Sequence, residues 1–295
     1  MLPTTSRPVR AAAAALALLA LAAAVALTQC AAGPARSTPS VRALTVATWN
    51  MCGVRQWHCE HTGDRDAKQR ALKWLATTGG ARVMLVQEAC AGDMEAVRED
   101  LGRSWHTAFR AYTWRDGGGR IATVRCAGRG QGAAGHGILS AEPLSDVRSV
   151  PTQQPTVGVR RGVLCATVAA VDVRVCGAHL SPPGSDRAHS GWEFRDDQLR
   201  ALVAAVPARR TVYGGDLNVG PPHERNPDAG VWPAAPYRTH RECDQATAAA
   251  RTGRATHASG HKLDYLFTGL PKSRCQVRDT GASDHRALLI RVRTG

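Results

Sequence analysis

The chain has 295 residues, 43% of them apolar, enough to bury a sizeable core in one large domain; this excludes wholesale disorder and a multi-span membrane protein. Its 38 Lys and Arg outweigh 24 Asp and Glu, a net +14. Without Arg7, Arg10 and Arg36, and with no acid before residue 37, 35 basic side chains face 24 acidic ones, a net +11 that attracts polyanions such as nucleic acid, anionic lipid or a phosphorylated sugar.

Residues 1–32 read as an export signal: Arg7 and Arg10 form a positive start, and Ala11 to Leu27 an uninterrupted apolar run. The alternative, a membrane anchor, needs a longer and more hydrophobic span than this Ala-rich stretch. Leu27-Thr28-Gln29-Cys30 is similar to a lipobox, except that Gln29 stands where a small residue belongs. Ala24-Val25-Ala26 suits ordinary signal cleavage, and Ala32 offers a later site. Residues 33–41 are a Pro- and Ser-bearing linker, and residues 42–295 form one domain without repeats.

Within the domain, Leu44 to Thr48 alternates as a strand, and Asp66 to Thr77 reads as a helix with Ala71, Trp74 and Leu75 on one face. Arg82 to Val86 reads as a buried strand, followed by a helix through Met94 and Val97. Ser104 to Trp114 and Arg120 to Cys126 read as strands around the turn Gly117-Gly118-Gly119. Leu164 to Val168 and Val171 to Val175 make a hairpin that Cys165 and Cys176 could bridge. Leu199, Leu202, Val203 and Val206 give a helix before Pro207. The remaining strands are Arg210 to Tyr213, Lys262 to Phe267, Arg274 to Arg278 and His285 to Val292, with a long loop from Gly220 to Pro236.

Setting Cys30 aside leaves Cys52, Cys59, Cys90, Cys126, Cys165, Cys176, Cys243 and Cys275, an even set that in an exported chain predicts up to four disulfides. A zinc site is the alternative. It has no CxxC pair behind it, and His58-Cys59-Glu60-His61 reads better as a disulfide-pinned loop.

Several strand ends finish in oxygen or imidazole side chains: Asn50, Glu88, His179, Asp216 with Asn218, Asp264, and Asp284 with His285. An acid after a strand is by itself more often a turn former. Here, however, Thr48-Trp49-Asn50, Val86-Gln87-Glu88, His136-Gly137-Ile138-Leu139-Ser140, Ala178-His179-Leu180, Gly214-Gly215-Asp216-Leu217-Asn218, Leu263-Asp264-Tyr265 and Ser283-Asp284-His285 follow one another. In this order they resemble the successive motifs of the endonuclease/exonuclease/phosphatase family, which includes deoxyribonuclease I and neutral sphingomyelinases. The resemblance runs from about Leu44 to Val292. It implies an α+β fold, a four-layer αββα sandwich, with the site where the edges of two sheets meet.

Asn50 and Glu88, with Asp284 adjacent, are hard oxygen donors suited to Mg²⁺, with Mn²⁺ or Ca²⁺ as alternatives. By the resemblance, Asp216 would orient or deprotonate a water, Asn218 would hold a phosphoryl oxygen, and His285, set by Asp264, would contact the phosphate. His179 would be the second imidazole, with no acidic partner evident. Which histidine is acid and which is base stays open, and Tyr112 fits the site, the core or the rim equally. The expected activity is secreted, metal-dependent phosphodiester hydrolysis by a monomer, with nucleic acid as the leading substrate. Arg160-Arg161, Arg209-Arg210 and Arg251 to Arg254 support that substrate, although a GC-rich coding bias also yields Arg. A sphingomyelinase-like lipid or sugar-phosphate esterase is the alternative and requires exposed aromatics, for which Trp192, Phe194 and Trp232 are the candidates. A non-catalytic secreted binding or toxin component is the third reading.

Overall fold

The computed structural model describes residues 43–59, 62–223 and 225–295; the leader, Cys30 and the linker lie outside them, as do Glu60 and His61 of the His58 cluster. Strand β1 (Ala43–Asn50) shows how the layers arise: its period-2 alternation sends Leu44 and Val46 to one face and Ala47 and Trp49 to the other. Strand β2 (Val83–Cys90) repeats this, with Val83 and Leu85 on the first face and Met84 and Val86 on the second. Both faces are apolar because both are covered.

The first sheet has the order β14-β15-β1-β2-β6-β3, with β3 (His106–Ala111), β6 (Ala134–Ser140), β14 (Lys272–Arg278) and β15 (Ala287–Arg293). The second has the order β12-β13-β11-β10-β9-β7, with β7 (Leu144–Val150), β9 (Gly162–Val168), β10 (Val173–His179), β11 (Thr211–Asp216), β12 (Arg241–Glu242) and β13 (Asp264–Thr268). Between the sheets lies a core that includes Val46, Leu85, Leu164, Val175, Val212 and Ile290. Helices α1 (Arg65–Thr77) and α2 (Ala91–Leu101) cover the outer face of the first sheet through Leu72, Leu75, Met94 and Val97. Helix α3 (Arg195–Ala204) and the short α4 (Ala235–Thr239) cover the second through Leu199, Leu202 and Tyr237. The architecture is the αββα sandwich. A small third sheet joins β4 (Thr113–Arg115) to β5 (Ile121–Thr123) and β8 (Gly158–Arg160).

Helix α1 differs in one respect from the expected face. Its buried stripe is Lys68, Ala71, Leu72 and Leu75, while Trp74 is 39% exposed. Capping by the Asp64 carboxylate, which accepts the Ala67 amide at 2.7 Å, begins the helix at Arg65, and Trp74 falls at the stripe's edge.

Four disulfides form among the described residues: Cys52–Cys59, Cys90–Cys126, Cys165–Cys176 and Cys243–Cys275. Cys165 and Cys176 face each other directly across the β9–β10 hairpin. Cys59 is therefore taken up by a disulfide, not by zinc. The Cys90–Cys126 bridge closes the longest loop, 36 residues. Its removal by paired serine substitution is expected to lower stability by about 3–4 kcal/mol, read as the midpoint of denaturant unfolding. An unchanged midpoint would mean that the loop is already ordered in the unfolded chain.

Candidate active site

Both sheets contain a parallel pair, β1 with β2 and β10 with β11, and the carboxyl ends of these pairs point to one place. In the second sheet, His179 pairs in register with Asp216, and Asp216 with Asp264, so three motif residues form one row across three strands. Close approach of the strands there depends on Gly214 and Gly215, at φ of 155° and 136°; a Cβ on either would overlap a neighbouring backbone carbonyl, that of Tyr265 or Ala178. In the first sheet, β2 breaks register with β6 between Val86 and Ala89, and Glu88 takes φ of 49°.

Asp216 is the hub. Its Oδ2 accepts the Asn50 amide at 3.0 Å, linking the two sheets, and its Oδ1 accepts the Asn218 backbone N–H at 3.0 Å. The Nε2 atoms of His179 and His285 lie 3.5 Å and 3.8 Å from the same Oδ2. Burial raises the Asp216 pKa, against the pull of His285.

The two histidines are tuned in opposite directions. His285 Nδ1 donates to Asp264 at 2.8 Å, and although burial works against its charge, Asp264 and Asp216 hold its pKa up at about 10. His179 is fully buried and sits well below the usual imidazole range, first through burial and then through the positive charge of Arg161. Its partner is Tyr112, whose hydroxyl accepts the Glu88 N–H at 3.2 Å and donates to His179 Nδ1 at 2.6 Å. That assignment leaves the His179 proton on Nε2, facing Asp216. The site therefore presents two imidazole N–H groups to one carboxylate.

The oxygen donors expected for a metal gather beside this hub. Glu88 is buried against the Cys59 sulfur, and burial raises its pKa to about 7. Among the described residues no Lys or Arg lies within 4 Å of its carboxylate, and the imidazole nearest it, His179 at 3.9 Å, is neutral. A buried carboxylate without a paired cation fits a divalent ion. Asn50 Oδ1 accepts the Cys52 N–H at 3.0 Å and keeps a second lone pair for ligation. Asp284 is partly exposed, with the Ser283 hydroxyl oxygen 3.3 Å away and His257 Nε2 at 3.4 Å. Ser283 in turn donates to the Asn50 carbonyl at 2.8 Å, clipping this loop to the end of β1. Asn218 donates its side-chain amide to the Leu180 carbonyl at 3.0 Å, which among the described residues leaves one amide proton free.

A model of the Endonuclease/Exonuclease/phosphatase family matches residues 47–285. The chain belongs to this family. Its fold is similar to that of an endonuclease/exonuclease/phosphatase from Beutenbergia cavernae DSM 12333, with a TM-score of 0.63 and 22% identity over 86% of this chain and 72% of that one. It is also similar to the human Nocturnin catalytic domain, with a TM-score of 0.61 and 14% identity over 85% and 94% of the two chains. An AP endonuclease from Archaeoglobus fulgidus gives 0.53 and 17% identity over 84% and 98%. No curated protein matches the chain in sequence. Family members are phosphoric ester hydrolases, and the family's nucleases generally use divalent metal ions.

Sequence reasoning did not name Lys68 or His257, and it named Arg161 only as part of a basic segment. Lys68 is buried on α1, donates to Thr62 and to the Ala282 carbonyl, and is lowered to about 8 by burial despite Asp284 and Glu88 nearby. Arg161, just before β9, lies over the Trp57 ring at 5.3 Å. Among the described residues it has no hydrogen-bond or ion-pair partner, yet its charge acts on Glu88 and His179. The Arg160-Arg161 doublet was a signal for it; nothing in the sequence marked His257, the third.

Proposed function

We propose that this protein is a secreted, divalent-metal-dependent phosphodiesterase that hydrolyses nucleic acid. The observation that carries this reading is the pairing of a cationic and a neutral imidazole around one carboxylate, with a cation-deficient glutamate beside them. Glu88, Asn50 and Asp284 would hold the ion, Mg²⁺ in the first instance, which when bound supplies Lewis-acid polarisation and charge shielding at the phosphate.

The chain's own groups divide the remaining work. Asp216 accepts a hydrogen bond from the attacking water and takes its proton. His285, held cationic by Asp264, donates from Nε2 to a phosphoryl oxygen as negative charge grows there. His179 donates as a neutral imidazole, its ring fixed by Tyr112, and the free amide proton of Asn218 serves another phosphoryl oxygen. Neither histidine is the base in this scheme.

Nucleic acid is favoured over lipid by the surface. Of the three aromatics considered for membrane contact, Phe194 is buried, Trp232 packs against Tyr237 and Tyr265, and Trp192 is exposed but stacks on His189; Trp74, the other exposed tryptophan among the described residues, lies on the outer helix α1. Among the described residues Arg161 has no carboxylate partner; it lies over the Trp57 ring and its charge acts on Glu88 and His179. Four disulfides support the reading of an oxidising compartment, in line with the expected export signal.

The test is hydrolysis of plasmid DNA, RNA, sphingomyelin and a generic diester by the oxidised protein, with Mg²⁺ and with EDTA. Metal-dependent cleavage of DNA or RNA supports the reading; cleavage of lipid alone overturns the substrate, and no cleavage overturns the activity. Arg161→Ala is expected to weaken nucleic-acid binding and to reduce the log–log salt slope by about 1, measured by titration over a range of KCl. An unchanged slope would exclude Arg161 as a phosphate contact.

A further inference from the structure

At the level where β2 delivers Glu88, β6 carries His136, and β3 carries Arg110 in register with it. Ala108 and Ile138, further along the same strands, face the core between the sheets, so alternation turns Arg110 and His136 to that side as well. The Arg110 guanidinium lies over Gly162 of β9, its Nη1 3.4 Å from where a Cβ would stand, and Gly162 is in register with His179. Arg160, the last residue of β8, and Arg161 lead directly into Gly162. Among the described residues none of these three arginines forms an ion pair, and Arg110 Nη1, Arg160 Nε and Arg161 Nε are buried without a hydrogen-bond partner. Burial and then the charge of Arg160 work against the Arg110 cation. His136 is 2% exposed and has no partner at either ring nitrogen; burial and then the charge of Arg110 push its pKa down to about 3, so it is neutral.

We propose that Arg110, Arg160 and Arg161 form a subsite for a second phosphate of the substrate, the one next to the scissile phosphate along a polynucleotide strand. This deepens the nucleic-acid reading and rests on it. Half-buried cations with no acid among them are costly until an anion joins them, and a guanidinium matches a phosphate through paired N–H donors. The place suits a neighbouring group better than the scissile one, because Gly162 stands one strand spacing, about 4.8 Å, from His179. The neutral imidazole of His136 offers a further N–H beside Arg110 without adding charge. A simple diester has no second phosphate and forgoes these contacts, so the subsite selects nucleic acid over it.

The test has a binding arm and a kinetic arm. Calorimetric titration of the oxidised protein with thymidine 3′,5′-bisphosphate in EDTA reads the subsite without turnover. One equivalent is expected, weakened about 10-fold by Arg110→Gln and by Arg160→Gln, each the loss of a charge-assisted contact. Arg103→Gln removes the same charge from an exposed side chain beyond the other end of β3 and should leave the affinity within about twofold. Arg160 ends a short strand of the small third sheet, so its variant reports even if Arg110→Gln fails to fold. With Mg²⁺, a dinucleoside monophosphate should be cleaved with a kcat/KM about 10-fold below that of the same compound carrying a 5′- or 3′-terminal phosphate, and both variants in the subsite should erase this preference. No bisphosphate binding, binding that all three substitutions weaken alike, or binding that Arg110→Gln and Arg160→Gln leave unchanged overturns the subsite. Binding with the expected pattern but no cleavage of any diester upholds the subsite and overturns the phosphodiesterase reading; cleavage indifferent to the terminal phosphate overturns the subsite alone.

Discussion

Replacing His285 by alanine is expected to lower kcat on nucleic acid by about a thousandfold, with a much smaller change in KM. A proton donor positioned at the reacting phosphate contributes roughly 10² to 10⁴ to rate, and His285 combines that role with a full positive charge. The charge has a structural origin that can be tested separately. Burial opposes it, but the Asp264 and Asp216 carboxylates hold the imidazole near a pKa of about 10, against an ordinary 6.5. The donor is competent below its pKa and lost as pH rises through it, so the wild-type alkaline limb belongs near pH 10. Asp264→Asn removes the hydrogen-bonded carboxylate and should bring that limb down towards neutrality, leaving the variant most active in mildly acidic buffer. The measurement is kcat against pH for the two proteins. An alkaline limb that does not move would show that Asp264 is not what keeps His285 charged. By the same linkage, the stability that His285 contributes is complete below pH 6.5 and disappears as pH rises through about 10.

Much of this site was legible in the sequence because strand periodicity and motif order carry the same information. Val212 and Tyr213 face opposite layers as alternation requires, and the strand they begin ends at Asp216. The row of His179, Asp216 and Asp264 then follows from three strands being neighbours. What escaped was long-range pairing and weak patterning. Tyr112 reaches His179 across 67 residues from outside any motif, a contact no local spacing encodes. His257 meets Asp284 only because a turn folds back on a distant loop. Strand β7 lies at the edge of its sheet with five of its seven residues exposed, so it lacks the apolar alternation by which β1 was read. The Asn50 amide, expected as an oxygen donor, also proves to be the tie between the two sheets, a role visible only once Asp216 stands opposite it.

Glu88→Gln is expected to separate stability from activity: the variant should be more stable than the wild type in EDTA and nearly inactive with Mg²⁺. Burial is the dominant influence on this carboxylate and raises its pKa from 4.5 to about 7. An acid favoured in its protonated form by the fold loses stability as pH rises from its unfolded to its folded pKa, here between about 4.5 and 7. Above that window the metal-free protein carries a penalty of about 3 kcal/mol, which a neutral amide of the same shape avoids. The difference corresponds to a Tm rise of roughly 5–10 °C at pH 8, and to almost none at pH 4. Added Mg²⁺ should close the gap from the other side, since an ion bound only by the folded state raises the wild-type Tm while the glutamine variant gains little. Calorimetry at two pH values, with and without Mg²⁺, reads all four states. A variant less stable than the wild type in EDTA at pH 8 would mean that Glu88 is compensated by a partner within the protein, and the argument that its buried charge calls for a metal would fall with it.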